Sequence, residues 1–133
     1  THNQRIGRWG EEVAASYLEG LGYVLAAKNI HTPHGEIDVI MRRGEITVFV
    51  EVKTRTSSRY GYPEEAITPR KLQHMFDSAM HYAQEHEIDH WQVDAISVEG
   101  KPNNGEPTIT HFEDVLKLKV QGLRFKVESL EGY

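Results

Sequence analysis

The 133-residue chain is 38% hydrophobic and 26% charged, with a formal net charge of −5 and no cysteine. This size and balance fit one soluble domain that can bury a single core; they exclude disulfides and thiolate metal sites and permit a reducing compartment. No apolar run approaches the roughly 20 residues that cross a bilayer and no signal peptide is visible, so a cytoplasmic protein is expected.

From Ile6 to Leu21 the pattern is helical, with Ile6, Trp9, Val13, Tyr17, Leu18 and Leu21 on one broad face and Gly22 placed to end the helix. Glu11 projects about 20° from Leu18, at the edge of that stripe, whereas Glu12 points well away. If either reaches a site on a neighbouring sheet it is Glu11; otherwise both are solvated helix glutamates. Tyr23 to Asn29 reads as a first strand, and His31-Thr-Pro-His-Gly35 as the turn after it. His31 and His34 have no partner pattern and read as surface residues before metal ligands.

Gly35 to Arg55 holds two apolar runs flanking Arg43-Gly44, which reads as a two-residue hairpin turn. That turn sets Arg42 against Glu45, Met41 against Ile46, Val39 against Val48 and Ile37 against Val50, giving one aliphatic face. The other face sets Asp38 against Phe49 and Glu36 against Glu51, with Lys53 two residues beyond Glu51. Asp38 and Glu51 become diagonal neighbours, with Cβ atoms about 7–8 Å apart, close enough to share a small cation. Like charges facing each other are destabilising, so a positive charge belongs among them, either Lys53 or a metal ion.

Thr56 to Pro63 is a loop of small polar residues, Gly and Pro. Arg59 and Tyr60, with Arg55 just before them, suit phosphate contact and base stacking, against an ordinary solvated connection. Thr68-Pro69 opens a second helix as N-cap and N1, with Leu72, Met75, Phe76, Ala79, Met80 and Ala83 as its buried stripe. Lys71 falls in the first turn, where the helix dipole disfavours a cation, so it is either a phosphate contact or a plain surface lysine. Trp91 to Val98 is nearly continuous and apolar, as an inner strand would be, and is interrupted by Asp94. Thr108 to Phe112 suits an edge strand. Leu116, Leu118 and Val120 alternate as a strand could.

An acid on one strand and acid-x-Lys on the next resemble the signature of PD-(D/E)xK nucleases. More closely, Gly35-Glu-Ile-Asp38 followed by Phe49-Val-Glu-Val-Lys-Thr-Arg55 is similar to the YraN family, itself similar to archaeal Holliday-junction resolvases. Gly7-x-x-Gly10-Glu11 matches that family's opening motif, whose glutamate is counted with the active-site acids, and the family's pattern also has a lysine at the position of Lys71. The resemblance implies an α/β protein with a three-layer restriction-endonuclease-like fold, an αβββαβ core and a mixed central sheet. It implies a single domain over residues 1–133, with the core at 7–98 and a C-terminal extension at 99–133. The implied catalytic set is Glu11, Asp38, Glu51 and Lys53. Asp38 and Glu51, helped by Glu11, would hold Mg²⁺ or Mn²⁺, and Asp94 would be structural. Ile37 stands where the signature has proline.

The expected activity is therefore metal-dependent endonuclease action on duplex or branched DNA, with Arg55, Arg59, Tyr60 and Lys71 on the nucleic acid. Resolvase-like action would favour a two-fold homodimer. The net charge weighs against a nucleic-acid partner, but residues 1–75 carry ten Lys/Arg and nine Asp/Glu, so the acidity is concentrated in the second part. A nuclease-like module that binds DNA or protein without cutting is the alternative. A glycosidase using Asp38 and Glu51 as its acid pair is a third reading, with little obvious sugar cleft.

Overall fold

The structure, a computed structural model, describes residues 1–57, 61–63 and 67–117. Helix α1 spans His2–Gly20, and strands β1 (Val24–Thr32), β2 (Gly35–Arg43) and β3 (Ile46–Arg55) follow it. Helix α2 (Pro69–Glu85) then leads to β4 (Trp91–Glu99) and β5 (Thr108–Phe112). The strands form one mixed sheet in the order β1-β2-β3-β4-β5, in which only β3 and β4 run parallel. A parallel pair needs a crossover rather than a tight turn, and α2 supplies it.

The sheet has a core on each face. On one, Ala14 and Leu18 of α1 pack on Val39, Met41, Val48, Val50, Ile96 and Val98. On the other, Leu72, Met75, Ala79 and Ala83 of α2 pack on Ile37, Ile40, Phe49, Val93 and Ala95. This is the three-layer α/β architecture expected from the sequence. Strand β4 has neighbours on both edges and a helix on both faces, which is why residues 93–98 are all buried.

Helix ends follow local chemistry. Thr68 accepts from the Lys71 N–H, and Pro69 fills N1, where its missing donor costs nothing. Gly22, at φ 95°, ends α1 with the paired Gly22 N–H to Glu19 carbonyl and Tyr23 N–H to Leu18 carbonyl bonds of a Schellman motif. The buried stripe of α1 is rotated from the expected one. Gly10, Ala14, Ala15 and Leu18 are buried, whereas Leu21 is 55% exposed, because the helix lies close to the sheet and small residues fit that approach.

The β2–β3 hairpin turns one residue later than the sequence reading, which shifts the pairing register by two. Arg43 pairs with Ile46 and Val39 with Val50, so the turn is Gly44-Glu45, and Gly44 adopts φ 62°. A shift of two preserves the faces of Val39, Met41, Val48 and Val50, but it removes the Glu36–Glu51 apposition. It does not preserve Ile37, which joins the α2-side core opposite Val39. The backbone pairing of β2 with β3 ends at Val39, and strict alternation is lost at Asp38.

Strand β1 is longer than expected and runs to Thr32, which closes a tight turn by donating to the Gly35 carbonyl at 2.7 Å. Val115 to Lys117 form a helical turn rather than a strand, so Leu116 does not alternate; Leu118 and Val120 lie outside the described residues. No described helix is long and apolar enough to cross a membrane.

Candidate active site

Where β2 leaves β3, the Val52 N–H is bonded by a side chain instead of a strand. Asp38 Oδ2 accepts it at 2.8 Å. That bond holds the carboxyl at the fork between the strands, where a carboxylate from α1 and a second one from β2 meet it. Glu11 of α1 and Glu36 of β2 bring oxygens that lie, together with one from Asp38, within 4.8 Å of one another. Glu51 of β3 lies close enough for its charge to act on both Asp38 and Glu11.

Glu11 arrives there because of Gly10. A Cβ on Gly10 would stand 1.9 Å from Thr54 Oγ1 and 3.0 Å from Thr54 Cβ, so only glycine lets α1 lie this close to β3. Gly10→Ala is expected to destabilise the fold by about 1–3 kcal/mol through that overlap. Thr54→Ala in the same chain should restore part of the loss, and denaturant melts of the double-mutant cycle would measure the coupling. Strictly additive losses would disprove the contact. As expected, Glu11 is half-buried and Glu12 exposed.

Crowding sets the proton affinities. Asp38 is pushed up to about 8, first by burial, then by the Glu51 charge and the hydrogen bond with Glu51; the Val52 N–H pulls the other way. Glu11 is also raised, by burial and then by Glu36, against the opposing effects of Lys28 and a hydrogen bond with Asn29. Lys71 forms an ion pair with Glu51. Burial disfavours its charge, but the hydrogen bond and charge of Glu51, with Asp38 behind, outweigh that and raise it.

The two lysines have divided the work expected of one. Lys71 is the cation placed on Glu51, instead of reaching outward to a flanking phosphate. Lys53 is exposed and has no ion pair among the described residues; it borders both an apolar recess with Glu51 and Lys71 and a cleft of about 600 Å³ with Glu11. Arg55 departs furthest from its expected place. Its side chain is only 9% exposed, donates to the Gly61 carbonyl at 2.6 Å and lies 3.7 Å from Glu99, so it anchors the chain after β3 rather than presenting a free fork. Arg59 and Tyr60 lie outside the described residues.

Glu36 and Asn29 also belong to this site, outside the set expected from the sequence. Glu36 was visible as the residue alternating with Asp38. Asn29 left a weaker signal: its left-handed backbone, φ 51°, is a conformation asparagine tolerates, and in it the residue meets Glu11. His31 pairs with Glu36 at 3.4 Å, and His34 rests edge-on against His81. Among the described residues neither histidine joins a potential ligand set.

A second cluster lies elsewhere on the sheet. Asp94, fully buried, accepts from Gln92 Nε2 at 2.8 Å and the Asp114 N–H at 2.9 Å, and shares a 2.7 Å bond with His111 Nε2. Glu113 beside it takes Tyr23 and Arg43. These oxygens are already satisfied by protein donors, which fits the structural role expected of Asp94.

Residues 10–98 match the family described as uncharacterised protein family UPF0102. A UPF0102 protein of Dehalococcoides mccartyi is 41% identical over 100 residues, covering 74% of this chain and 83% of its own. One from Syntrophomonas wolfei is 49% identical over 80 residues, 60% of this chain and 70% of its own. One from Thermus thermophilus is 41% identical over 98 residues, 74% of this chain and 87% of its own. The matched span contains Glu11, Asp38, Glu51, Lys53 and Lys71, the residues around the strand fork, and the chain belongs to the UPF0102, or YraN, family.

Proposed function

We propose that this protein is a Mg²⁺- or Mn²⁺-dependent endonuclease that hydrolyses DNA phosphodiester bonds, with branched DNA as its favoured substrate. The observation that carries the reading is the convergence of Glu11, Glu36 and Asp38 oxygens within 4.8 Å, with the Glu51 charge beside Asp38. An all-carboxylate set, with Glu11 and Asp38 half-buried and Glu36 exposed, lacks thiolate and imidazole and fits a hard divalent cation taking oxygen ligands. Asp38 and Glu51 would hold the ion, aided by Glu11 and Glu36. Such an ion supplies Lewis-acid stabilisation of phosphoryl oxygens and lowers the pKa of bound water.

The protein's own groups set the rest. The Val52 N–H fixes which Asp38 oxygen faces inward. Lys71 holds Glu51 in place through their ion pair. Lys53, with its ammonium at the cleft, donates to the scissile phosphate or orients the attacking water, as a compact point charge can. Arg55 braces the loop that continues from β3, whereas Arg59 and Tyr60 remain proposed DNA contacts.

The test is incubation of labelled four-way junction and duplex DNA with the protein and Mn²⁺ or Mg²⁺. Cleavage should require the metal and fall by about 10²–10⁴-fold in Glu51→Ala and Lys53→Ala. Cleavage independent of metal, or unchanged in both variants, would end the proposal. DNA binding with no cutting and no carboxylate-dependent metal site would favour the binding-module alternative.

A further inference from the structure

Glycine destabilises a helix interior relative to alanine, so each glycine inside α1 calls for a physical reason. Gly10 has one in Thr54. Gly20 stands in the last turn, next to the cap Leu21, where the interior penalty does not apply; Gly7, in the interior, has no reason within the described protein, because a Cβ there would meet nothing within 4 Å. Instead, Gly7 lines the cleft of about 600 Å³ between the first turns of α1 and the end of β3. One wall offers His2 and Asn3; the other offers Lys53 and Thr56; Glu11 stands at the end shared with the acid cluster.

We infer that this cleft seats the sugar–phosphate backbone of a DNA strand on one side of the scissile phosphate, with Gly7 as its point of closest approach to the helix. The inference rests on the nuclease reading and adds to it the path of the substrate. Its chemistry is that of phosphate and sugar contact: an imidazole, an amide, a hydroxyl and a free ammonium all offer donors to anionic oxygens. Glu11 repels phosphate at the other end of the cleft, which leaves His2 and Asn3 as the anionic strand's resting place. A helix surface without a side chain at position 7 lets the strand come a methyl group closer, and any larger residue there occupies the strand's space.

The experiment uses the full chain and a fluorescein-labelled four-way junction, titrated by anisotropy in Ca²⁺ and assayed for cleavage in Mn²⁺. Gly7→Ala should raise Tm by about 2–5 °C, since it removes a helix-destabilising residue from open space. It should nevertheless weaken DNA binding several-fold. Gly7→Leu should weaken binding by about tenfold or more and raise KM while leaving kcat at saturating DNA within a few-fold, whereas the exposed Ser16→Leu on the same helix should bind as wild type. Should Gly7→Leu fold poorly, the opposed changes in Tm and affinity of Gly7→Ala decide the matter alone. Wild-type protein that cuts DNA, with Gly7 variants that bind it undiminished, would overturn the cleft and leave the nuclease reading standing. Wild-type protein that neither binds nor cuts would overturn both.

Discussion

Asp38→Asn is expected to reduce metal-dependent cleavage by on the order of 10³-fold while making the folded protein more stable at pH 8. Both effects come from the same crowding. The carboxyl sits at about 8 when folded and near its ordinary 3.8 when unfolded, chiefly because burial and Glu51 oppose its charge. Between those values the folded state keeps a proton that the unfolded state has released. Stability therefore falls as pH rises from about 4 to about 8, and the whole cost is present above that range. Asparagine imitates the protonated form: its carbonyl accepts from the Val52 N–H and its amide donates to Glu51, without a charge to ionise. Melting curves at pH 5 and pH 8.5 check the sign, because the advantage of Asp38→Asn should widen with pH. A gap that is constant or shrinks would mean that the carboxyl is not held protonated by its neighbours. A bound cation replaces that proton, so Mn²⁺ affinity measured by calorimetry should tighten over the same pH interval and be lost in Asp38→Asn. Active sites often carry such a stability cost where function requires clustered charge.

The largest loss of stability is expected away from the strand fork. Asp94→Ala should destabilise the protein by about 3–5 kcal/mol, because it removes a fully buried carboxylate and strands its partners. Gln92 Nε2, the Asp114 N–H and His111 Nε2 all lose an acceptor at once. Buried donors without partners bear their full desolvation cost. For a chain of this length the change corresponds to a fall in Tm of roughly 10–20 °C. The network ties β4 to the segment after β5, and through His111, edge-on to Tyr17 and Tyr23, to the end of α1. A carboxylate oxygen from each of Asp94 and Glu113 and a ring nitrogen of His111 lie as close together as a ligand set would, yet Arg43 already sits on Glu113 at 3.4 Å. Thermal melts measure the effect. A loss below about 1 kcal/mol would show that water or local rearrangement satisfies the freed donors.

Much of the architecture was legible in residue pattern alone. Helix termini are local events, so Gly22, Thr68 and Pro69 marked them correctly. The unbroken apolar run of β4 announced an inner strand, because a strand covered on both faces has no polar side to display. Glu11 was separable from Glu12 because a 100° step fixes which of two neighbours lies near the buried stripe. Hairpin register was less legible. Arg43-Gly44 and Gly44-Glu45 both satisfy a two-residue turn, and only packing against both cores chooses between them.

The sequence by itself determined the elements, their order and the presence of Asp38, Glu51 and Lys53 on neighbouring strands, since period and turn chemistry act over a few residues. Tertiary structure decided the rest. It ended the β2–β3 ladder at Asp38, brought Glu11 and Glu36 to the fork, gave Glu51 to Lys71 and turned Arg55 inward. Those outcomes depend on the close approach of α1 at Gly10 and the placement of α2 on the opposite face, contacts between residues tens of positions apart that no local pattern encodes.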